Sequence, residues 1–343
     1  MFPIDLKSDT VTRPSQAMRQ AMFDAEVGDD VYGEDPTVRR LEEKAADLVG
    51  MEASLYLTSG TMGNLVSLLT HCGRGEGAVV GRSSHILGNE GGGLAALGSI
   101  VPLVADDDSG LIPESEIRRH CRPSNVHLAP AKLLCLENTH NSRGGLAISP
   151  AQMRPATDAA RGLGLSIHLD GARIFNAAVA WKCDVKEFTS QVDSIQMCLS
   201  KGLGAPVGSL LCGKKDFIER ARHWRKKVGG GMRQAGVIAA SGLYALEHNI
   251  ARLEEDHRNA SLMADILSRG GVSVEKSEKP TNMIFFRLHE GKDDYALLQR
   301  CSARGVLFGM AAPGRFRLVT HLDVSCEQAR RAAEIISEEV ART

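Results

Sequence analysis

The sequence predicts an α/β fold, in which a large domain with a mostly parallel, doubly covered seven-stranded sheet precedes a small C-terminal α+β domain. Two observations support this prediction. Between residues 53 and 213, short apolar runs alternate with longer amphipathic ones, which is the pattern of repeated βαβ units. The chain of 343 residues is also too long for one small core and too short for three ordinary domains.

The apolar runs and their flanking residues predict the individual elements. The predicted strands are 54–57, 78–81, 100–104, 133–137, 165–170, 194–200 and 208–213. Helices are predicted at 62–72 after a glycine turn, at 114–121 after Pro113, and at 150–163 with Ser149 as the N-cap. Residues 216–228 and 235–270 are predicted as long helices. We therefore expect an N-terminal arm (1–24), a large ligand-binding domain (25–248) and a small domain (249–343).

Composition and charge indicate a small-molecule partner. The 41 basic and 42 acidic residues nearly cancel, so neither nucleic acid nor a membrane surface is expected as a partner. No apolar run reaches the roughly 20 residues of a membrane span, and residues 1–7 lack the features of a signal peptide. The eight cysteines form no Cys-x-x-Cys pair and are expected to be reduced thiols. These features predict a cytoplasmic protein.

Polar residues follow three of the predicted strands, where ligands bind in sheets of this kind. They are Glu137, Asp170 with Arg173, and Lys201. The apolar run before Lys201 places its amine near surroundings of low dielectric constant, which favour a neutral, nucleophilic amine. Asp170 lies one βα unit earlier, so both side chains should emerge at the same edge. The alternatives are a surface lysine in a turn and an ordinary ion pair.

A second group of residues offers anion binding and acid–base chemistry. The turn 59–64 opens a helix after a strand, where free N–H groups accept phosphate, although such turns also cap helices without a ligand. Arg173 and Arg317 are of the type that grips a carboxylate with two donors, with surface salt bridges as the alternative. His85 and His127 are candidate acid–base or stacking groups. Too few ligands converge around His168 to predict a metal site.

Eight sequence blocks together resemble the low-specificity L-threonine aldolase family, whose members are pyridoxal-phosphate (PLP) enzymes of the aspartate-aminotransferase-like fold, fold type I. The blocks span nearly the whole chain: DLKSDTVT (5–12), GDDVYG (28–33), SGTMGN (59–64), LENTHN (136–141), DGARIFN (170–176), LSKGLGAPVG (199–208), GGGMRQ (229–234) and RLVTH (317–321). The resemblance implies PLP-dependent cleavage of L-threonine, L-allo-threonine and related β-hydroxy-α-amino acids to glycine and an aldehyde. It also implies a homotetramer, built as a dimer of dimers, with sites at subunit interfaces.

The resemblance further implies roles for single residues. Lys201 forms the Schiff base with the cofactor, and Asp170 pairs with its pyridinium nitrogen. Gly60 and Thr61 hold the phosphate, and His85 lies over the ring beside the substrate. The substrate carboxylate binds to Arg173, Arg317 and Ser8, and Arg173 also borders the cofactor. His127 helps to recognise the β-hydroxyl group. Lys226 and Arg233 reach the phosphate region from a neighbouring subunit.

Two alternatives to an aldolase remain open from the residues. A β-eliminating lyase or an aminotransferase of the same fold would release a keto acid, so its products differ from glycine and an aldehyde. A non-catalytic ligand-binding or scaffold protein would have no need of Lys201 and Asp170. The residues also leave open whether His85, His127 or an ordered water takes the β-hydroxyl proton, and whether threo or erythro substrates are preferred.

Overall fold

A computed structural model describes residues 3–122, 125–288 and 291–342. Its strands are β1 Ile4–Asp5, β2 Ala53–Leu57, β3 Gly77–Gly81, β4 Val101–Ala105, β5 Ala131–Glu137, β6 Ser166–Asp170, β7 Ser194–Cys198, β8 Ser209–Gly213, β9 Ser273–Val274, β10 Met283–Arg287, β11 Val306–Leu307, β12 Gly309–Ala312 and β13 Arg315–Val319. Its α-helices are α1 Gln16–Phe23, α2 Pro36–Val49, α3 Gly60–His71, α4 His85–Gly88, α5 Gly93–Ala96, α6 Glu114–His120, α7 Pro150–Gly162, α8 Ile174–Trp181, α9 Lys186–Thr189, α10 Lys215–Lys227, α11 Gly236–His248, α12 Leu253–Arg269, α13 Asp294–Ala303 and α14 Cys326–Ala341.

The central sheet has seven strands in the order β2-β8-β7-β6-β5-β3-β4. Five neighbouring strands, from β7 to β4, run parallel to one another, whereas β8 is antiparallel to both β7 and β2. All seven strands predicted for this domain are confirmed, with ends shifted by a few residues. The mostly parallel character is also confirmed, with β8 as the exception.

Helices cover both faces of this sheet. Every residue of β7 and β8 is buried, although successive side chains in a strand point to opposite faces. Such runs are typical of a sheet with helices on both sides. The large hydrophobic cluster on one face includes Leu169, Ile195 and Leu210, and the smaller clusters on the other face include Leu211.

Local signals set the helix ends. Ser149 caps α7 in a capping box with Gln152, and Pro150 occupies the first turn, as the sequence predicts. The predicted helical stretch 235–270 divides into α11, which ends at His248, and α12, which begins at Leu253. In the described ranges no helix is both long and apolar enough to cross a membrane.

The small C-terminal domain packs helices against an antiparallel four-stranded sheet of order β12-β13-β10-β9. The N-terminal strand β1 pairs with β11 of this domain, and Ile4 and Leu6 join its hydrophobic core beside Phe286 and Phe316. The chain then continues into a short 3-10 turn at Asp9–Val11. The division into 1–24, 25–248 and 249–343 stays a prediction, while these contacts tie the first residues to the small domain.

Candidate active site

The parallel strands β6 and β7 bring Asp170 and Lys201 to the same edge of the sheet. Asp170 is the last residue of β6 and is buried, and Lys201 follows the end of β7 and is half-buried. The Lys201 ammonium is close enough to Asp9 to help lower the pKa of that carboxyl. The sheet edge therefore carries an amine and two carboxylates in one place.

The Asp170 carboxylate is fixed by three hydrogen-bond donors. The side-chain nitrogen of Asn64 donates to Oδ2 at 2.9 Å, and the backbone N–H of Ala172 donates to Oδ1 at 3.1 Å. Gln196, with its side-chain nitrogen turned toward the carboxylate, donates to Oδ1 at 3.0 Å. Asn64 and Gln196 are both buried. The carboxylate is thus held rigidly where a cationic ring N–H can meet it.

The turn between β2 and α3 offers free backbone donors. Ser59 caps α3 through its Oγ, which accepts from the N–H of Met62 at 3.1 Å. Gly60 and Thr61 open the helix, so their N–H groups have no acceptor within it and lie at its positive end. A Cβ atom at residue 60 would lie 2.7 Å from the Cys198 sulfur, so only glycine lets this turn approach β7. These groups suit a phosphate.

His85 begins α4 and lies between three carboxylates. Its backbone N–H donates to Glu137 Oε2 at 2.7 Å, and its ring Nδ1 is 3.0 Å from Glu90 Oε1. The hydrogen bond to Glu90 raises the pKa of His85; burial opposes this rise, and the charges of Asp170 and Glu90 reinforce it. The ring is 30% exposed, so one part of it remains accessible from the cleft.

Arg173 is held by Asp9 in a buried ion pair. Its Nε and Nη2 atoms donate to the two carboxylate oxygens at 2.7 and 2.6 Å. Burial alone would raise the pKa of Asp9, but the charge and hydrogen bonds of Arg173 hold it well below its usual range. The forked face of Arg173 is therefore occupied by Asp9, and its role toward a substrate carboxylate stays a prediction.

Arg317, on β13, lies near Arg173 and Asp9 but has a different set of hydrogen-bond partners. Its Nη1 donates to Asn141 Oδ1 and its Nη2 to the backbone oxygen of Lys7, both at 3.1 Å. Burial and the nearby charge of Arg173 lower the pKa of Arg317, and Asp9 partly offsets this. Among the described residues, no carboxylate forms a direct ion pair with Arg317. Its guanidinium is thus a half-buried cation held by neutral acceptors, which suits an incoming anion.

Comparison with known proteins decides the family. A model of the beta-eliminating lyase family matches residues 5–290. Over 331 residues the chain is 51% identical to the low specificity L-threonine aldolase of Escherichia coli strain K12, which covers 96% of this chain and 97% of that protein. The chain belongs to the low-specificity L-threonine aldolase family.

Solved structures show the same fold as this member of the aldolase family. The structure of Leishmania major threonine aldolase has a TM-score of 0.84 at 19% identity, and the match covers 98% of this chain and 100% of that chain. A structure of serine palmitoyltransferase with PLP has a TM-score of 0.77 at 18% identity, with 99% of this chain and 89% of that chain covered. The predicted fold type I architecture is confirmed.

Four residues predicted from the family lie away from these contacts or hold local structure. His127 is exposed, with its backbone N–H donating to Asn125. Lys226 and Arg233 are exposed, and Arg233 pairs with Asp29 at 2.9 Å. The fourth, Ser8, caps the 3-10 turn through its Oγ. The functional roles of all four stay predictions.

Four residues of the site were not singled out from the sequence. They are Asp9, Asn64, Glu90 and Asn141, which hold Arg173, Asp170, His85 and Arg317 respectively. Three of them lie inside blocks of the aldolase family, which was the available signal. Glu90 lies outside those blocks, and only its spacing of five residues from His85 could have indicated it.

Proposed function

We propose that this protein cleaves L-threonine, L-allo-threonine and related β-hydroxy-α-amino acids to glycine and an aldehyde. The observation that carries this proposal is that Lys201, Asp170 and Arg317 lie around one edge of the sheet, and that the hydrogen-bond acceptors of Arg317 are uncharged. The 51% identity to a low specificity L-threonine aldolase over nearly the full chain points to the same reaction. A β-eliminating lyase or an aminotransferase is not favoured, because two similar relatives, at 51% and 42% identity, are named as low-specificity L-threonine aldolases.

The residues at this edge fit pyridoxal phosphate. The N–H groups of Gly60 and Thr61 would hold the phosphate, Asp170 the protonated ring nitrogen, and Lys201 the aldehyde carbon. When bound, this cofactor supplies the extended π-system that takes up the electron pair left by breaking a bond at Cα. Asp170 contributes by keeping the ring nitrogen protonated, and its three donors hold it in position for that contact.

Orientation of the substrate selects which bond breaks. Arg317 offers a half-buried cation to the substrate carboxylate, with Arg173 and Ser8 beside it. Binding that carboxylate fixes rotation about the N–Cα bond, so the Cα–Cβ bond can be held perpendicular to the cofactor plane. Cleavage then moves the β-hydroxyl electron pair into the aldehyde carbonyl and releases the hydroxyl proton. His85, His127 or an ordered water receives that proton, and a proton returned to Cα then completes glycine.

A product assay on the purified protein tests this function. L-threonine and L-allo-threonine should each yield glycine and acetaldehyde in equal amounts, and the pure protein should show the visible absorbance of bound cofactor. Formation of a keto acid in place of glycine would identify an eliminating lyase or an aminotransferase. A protein that stays colourless and inactive with added cofactor would identify a non-catalytic relative.

The active form we propose is a homotetramer, assembled as a dimer of dimers. The support is an exposed apolar group on one side of the large domain, consisting of Phe23, Val27, Tyr32 and Val237. It adjoins the exposed Arg233, whose guanidinium lies 5.9 Å from the Tyr32 ring centre. In such an assembly Lys226 and Arg233 would reach the phosphate of a neighbouring subunit. Light scattering after gel filtration should give four times the chain mass, and Phe23→Asp should lower it.

The enzyme's proposed place of action is the cytoplasm, where it would supply glycine. The support is that all eight cysteines are free, and five of them are buried. Unpaired thiols of this number suit a reducing compartment. Fractionation of the source cells with an antibody to the chain, beside markers for each compartment, tests this location.

A further inference from the structure

Glu90 is an acidic residue of the site that contacts His85. Its side chain is 5% exposed and follows the short helix that begins at His85. Glu90 Oε1 accepts from Asn64 Nδ2 at 2.7 Å and lies 3.0 Å from His85 Nδ1. Single oxygens of Glu90 and Asp170 and a ring nitrogen of His85 all lie within 4.8 Å of one another. Two carboxylates this close repel each other, and burial makes the repulsion costlier.

The orientation of Asn64 is fixed from behind by a second set of buried hydrogen bonds. His168 Nε2 lies 3.1 Å from Asn64 Oδ1, and His168 Nδ1 lies 2.9 Å from the hydroxyl oxygens of both Ser67 and Ser194. The amide nitrogen of Asn64 lies against the carboxylates of Glu90 and Asp170 and gives one N–H to each, so its Oδ1 faces His168 as an acceptor. His168 Nε2 therefore carries the proton and donates to Asn64 Oδ1, while a hydroxyl group can donate to Nδ1.

This arrangement decides which nitrogen of His85 carries a proton. When ionised, Glu90 can only accept hydrogen bonds, so the His85 Nδ1 must be the donor. The other ring nitrogen, Nε2, has no hydrogen-bond partner among the described residues, and the ring is partly exposed to the cleft. Glu90 thus selects one of the two neutral forms of the imidazole.

We propose that Glu90 is a positioning residue that holds His85 in the Nδ1–H tautomer, so that the Nε2 lone pair faces the substrate. This inference rests on the proposed function for its consequence in the reaction. Whether Nε2 takes the β-hydroxyl proton itself or orders the water that takes it, the lone pair must point into the cleft. The opposite tautomer would present an N–H donor there instead.

The groups around His85 carry charges of both signs. Glu90 and Asp170 face the ring with negative charge, Lys201 faces it with positive charge, and Glu137 accepts from the backbone N–H of residue 85. Burial raises the pKa of Glu90, and the neighbouring Asp170 raises it further, while hydrogen bonds from His85 and Asn64 oppose this. The hydrogen bond to Glu90 remains the largest influence that raises the pKa of His85.

Nitrogen NMR of the holoenzyme without substrate tests the tautomer directly. In protein labelled with 15N-histidine, the His85 signals, assigned by their absence in His85→Asn, should show a protonated Nδ1 and an unprotonated Nε2 above the His85 pKa. In Glu90→Gln, that pKa should fall by about one unit, since the nearest negative charge is removed. Glu90→Asp should restore most of the shift, whereas Glu114→Gln, an exposed glutamate on α6, should change nothing.

Kinetics then separate positioning from mere structural support. The acidic limb of the kcat/KM profile for L-threonine should move with the His85 pKa in Glu90→Gln, with the cofactor absorbance unchanged. A protonated Nε2 in the wild-type spectrum would overturn the proposal, even if Glu90→Gln failed to fold. So would an unchanged His85 pKa in a folded Glu90→Gln. Because the spectra need no substrate, they stand apart from the proposed function, which fails only if the wild type makes no glycine.

Discussion

Single side chains at this site are held by partners of differing charge. Arg173 is neutralised by a buried aspartate at 2.6 Å, whereas the partners of Arg317 among the described residues are neutral oxygens at 3.1 Å. A buried cation that lacks a counter-ion gains most from an incoming carboxylate, because the charge is already partly desolvated. At the scale of residues, the two arginines therefore differ in their readiness to bind substrate.

Lys201→Ala should abolish threonine cleavage and remove the visible absorbance of the enzyme-bound cofactor. The amine attaches the cofactor and takes part in bond making, so the rate should fall on the order of 10⁴-fold. Glycine release from L-threonine and an absorbance spectrum measure the two effects. Lys132→Ala is the matched control, because Lys132 lies near the opposite end of β5 and its removal should leave both unchanged. Normal turnover in Lys201→Ala would contradict the assignment.

Arg317→Lys should weaken substrate use while the cofactor spectrum stays normal. Lysine keeps the charge but loses the planar fork, and loss of one charged hydrogen bond costs about 1.5 to 3 kcal/mol. We expect kcat/KM for L-threonine to fall about 10- to 100-fold, chiefly through KM. Arg287→Lys, on the neighbouring strand β10, is the control, because Arg287 is exposed and pairs with Glu275. An altered cofactor spectrum would place Arg317 at the cofactor instead.

At the scale of elements, the N-terminal segment serves both domains. Strand β1 adds to the small domain beside β11, and the turn that follows brings Asp9 against Arg173 of the large domain. Asn282 of the small domain also donates to Asp9, at 3.2 Å. Between β1 and this turn, the backbone oxygen of Lys7 accepts a hydrogen bond from Arg317. This segment therefore joins the small-domain core to the site.

Asp9→Asn should destabilise the protein strongly. The change leaves the Arg173 guanidinium buried without a counter-ion, which typically costs about 3 to 5 kcal/mol. Urea unfolding followed by circular dichroism should show this fall in the free energy of unfolding. Asp5→Asn is the control, since Asp5 pairs with Lys7 near the surface and the change should cost under about 1 kcal/mol. Equal stability of the two variants would show that the buried pair contributes little.

At the scale of the whole molecule, three histidines tie stability to pH: His168 and His257, which are buried, and His71, which is half-buried. Burial is the largest cause that lowers the pKa of His71 and His257 to about 4 and that of His168 to about 3. Below about pH 6.5 these histidines bind protons in the unfolded chain but stay neutral in the folded protein. The folded protein therefore loses stability as the pH falls from about 6.5 to about 4.

The free energy of unfolding should therefore decrease by about 1 kcal/mol per histidine for each pH unit in this window. Urea titrations at several pH values between 7.5 and 4.5 measure the slope. His257→Gln should reduce it, since glutamine can still accept from Asn176 without titrating. His248→Gln, at the surface, should leave it unchanged. An equal slope in the wild type and His257→Gln would refute this source of the pH dependence.

The sequence by itself determined the seven strands, three of the helices between them (α3, α6 and α7) and the shared edge of Lys201 and Asp170. These follow from local patterns, because consecutive βα units place the ends of parallel strands together. Tertiary structure alone decided the antiparallel β8 and the partners Asp9–Arg173, Asn64–Asp170 and Asn141–Arg317, which are 164, 106 and 176 residues apart. The contacts of Asp9 and Arg317 depend on how the first residues and the small domain fold back onto the sheet, and the contact of Asn64 depends on how α3 packs against it. No local pattern of polar residues encodes that geometry.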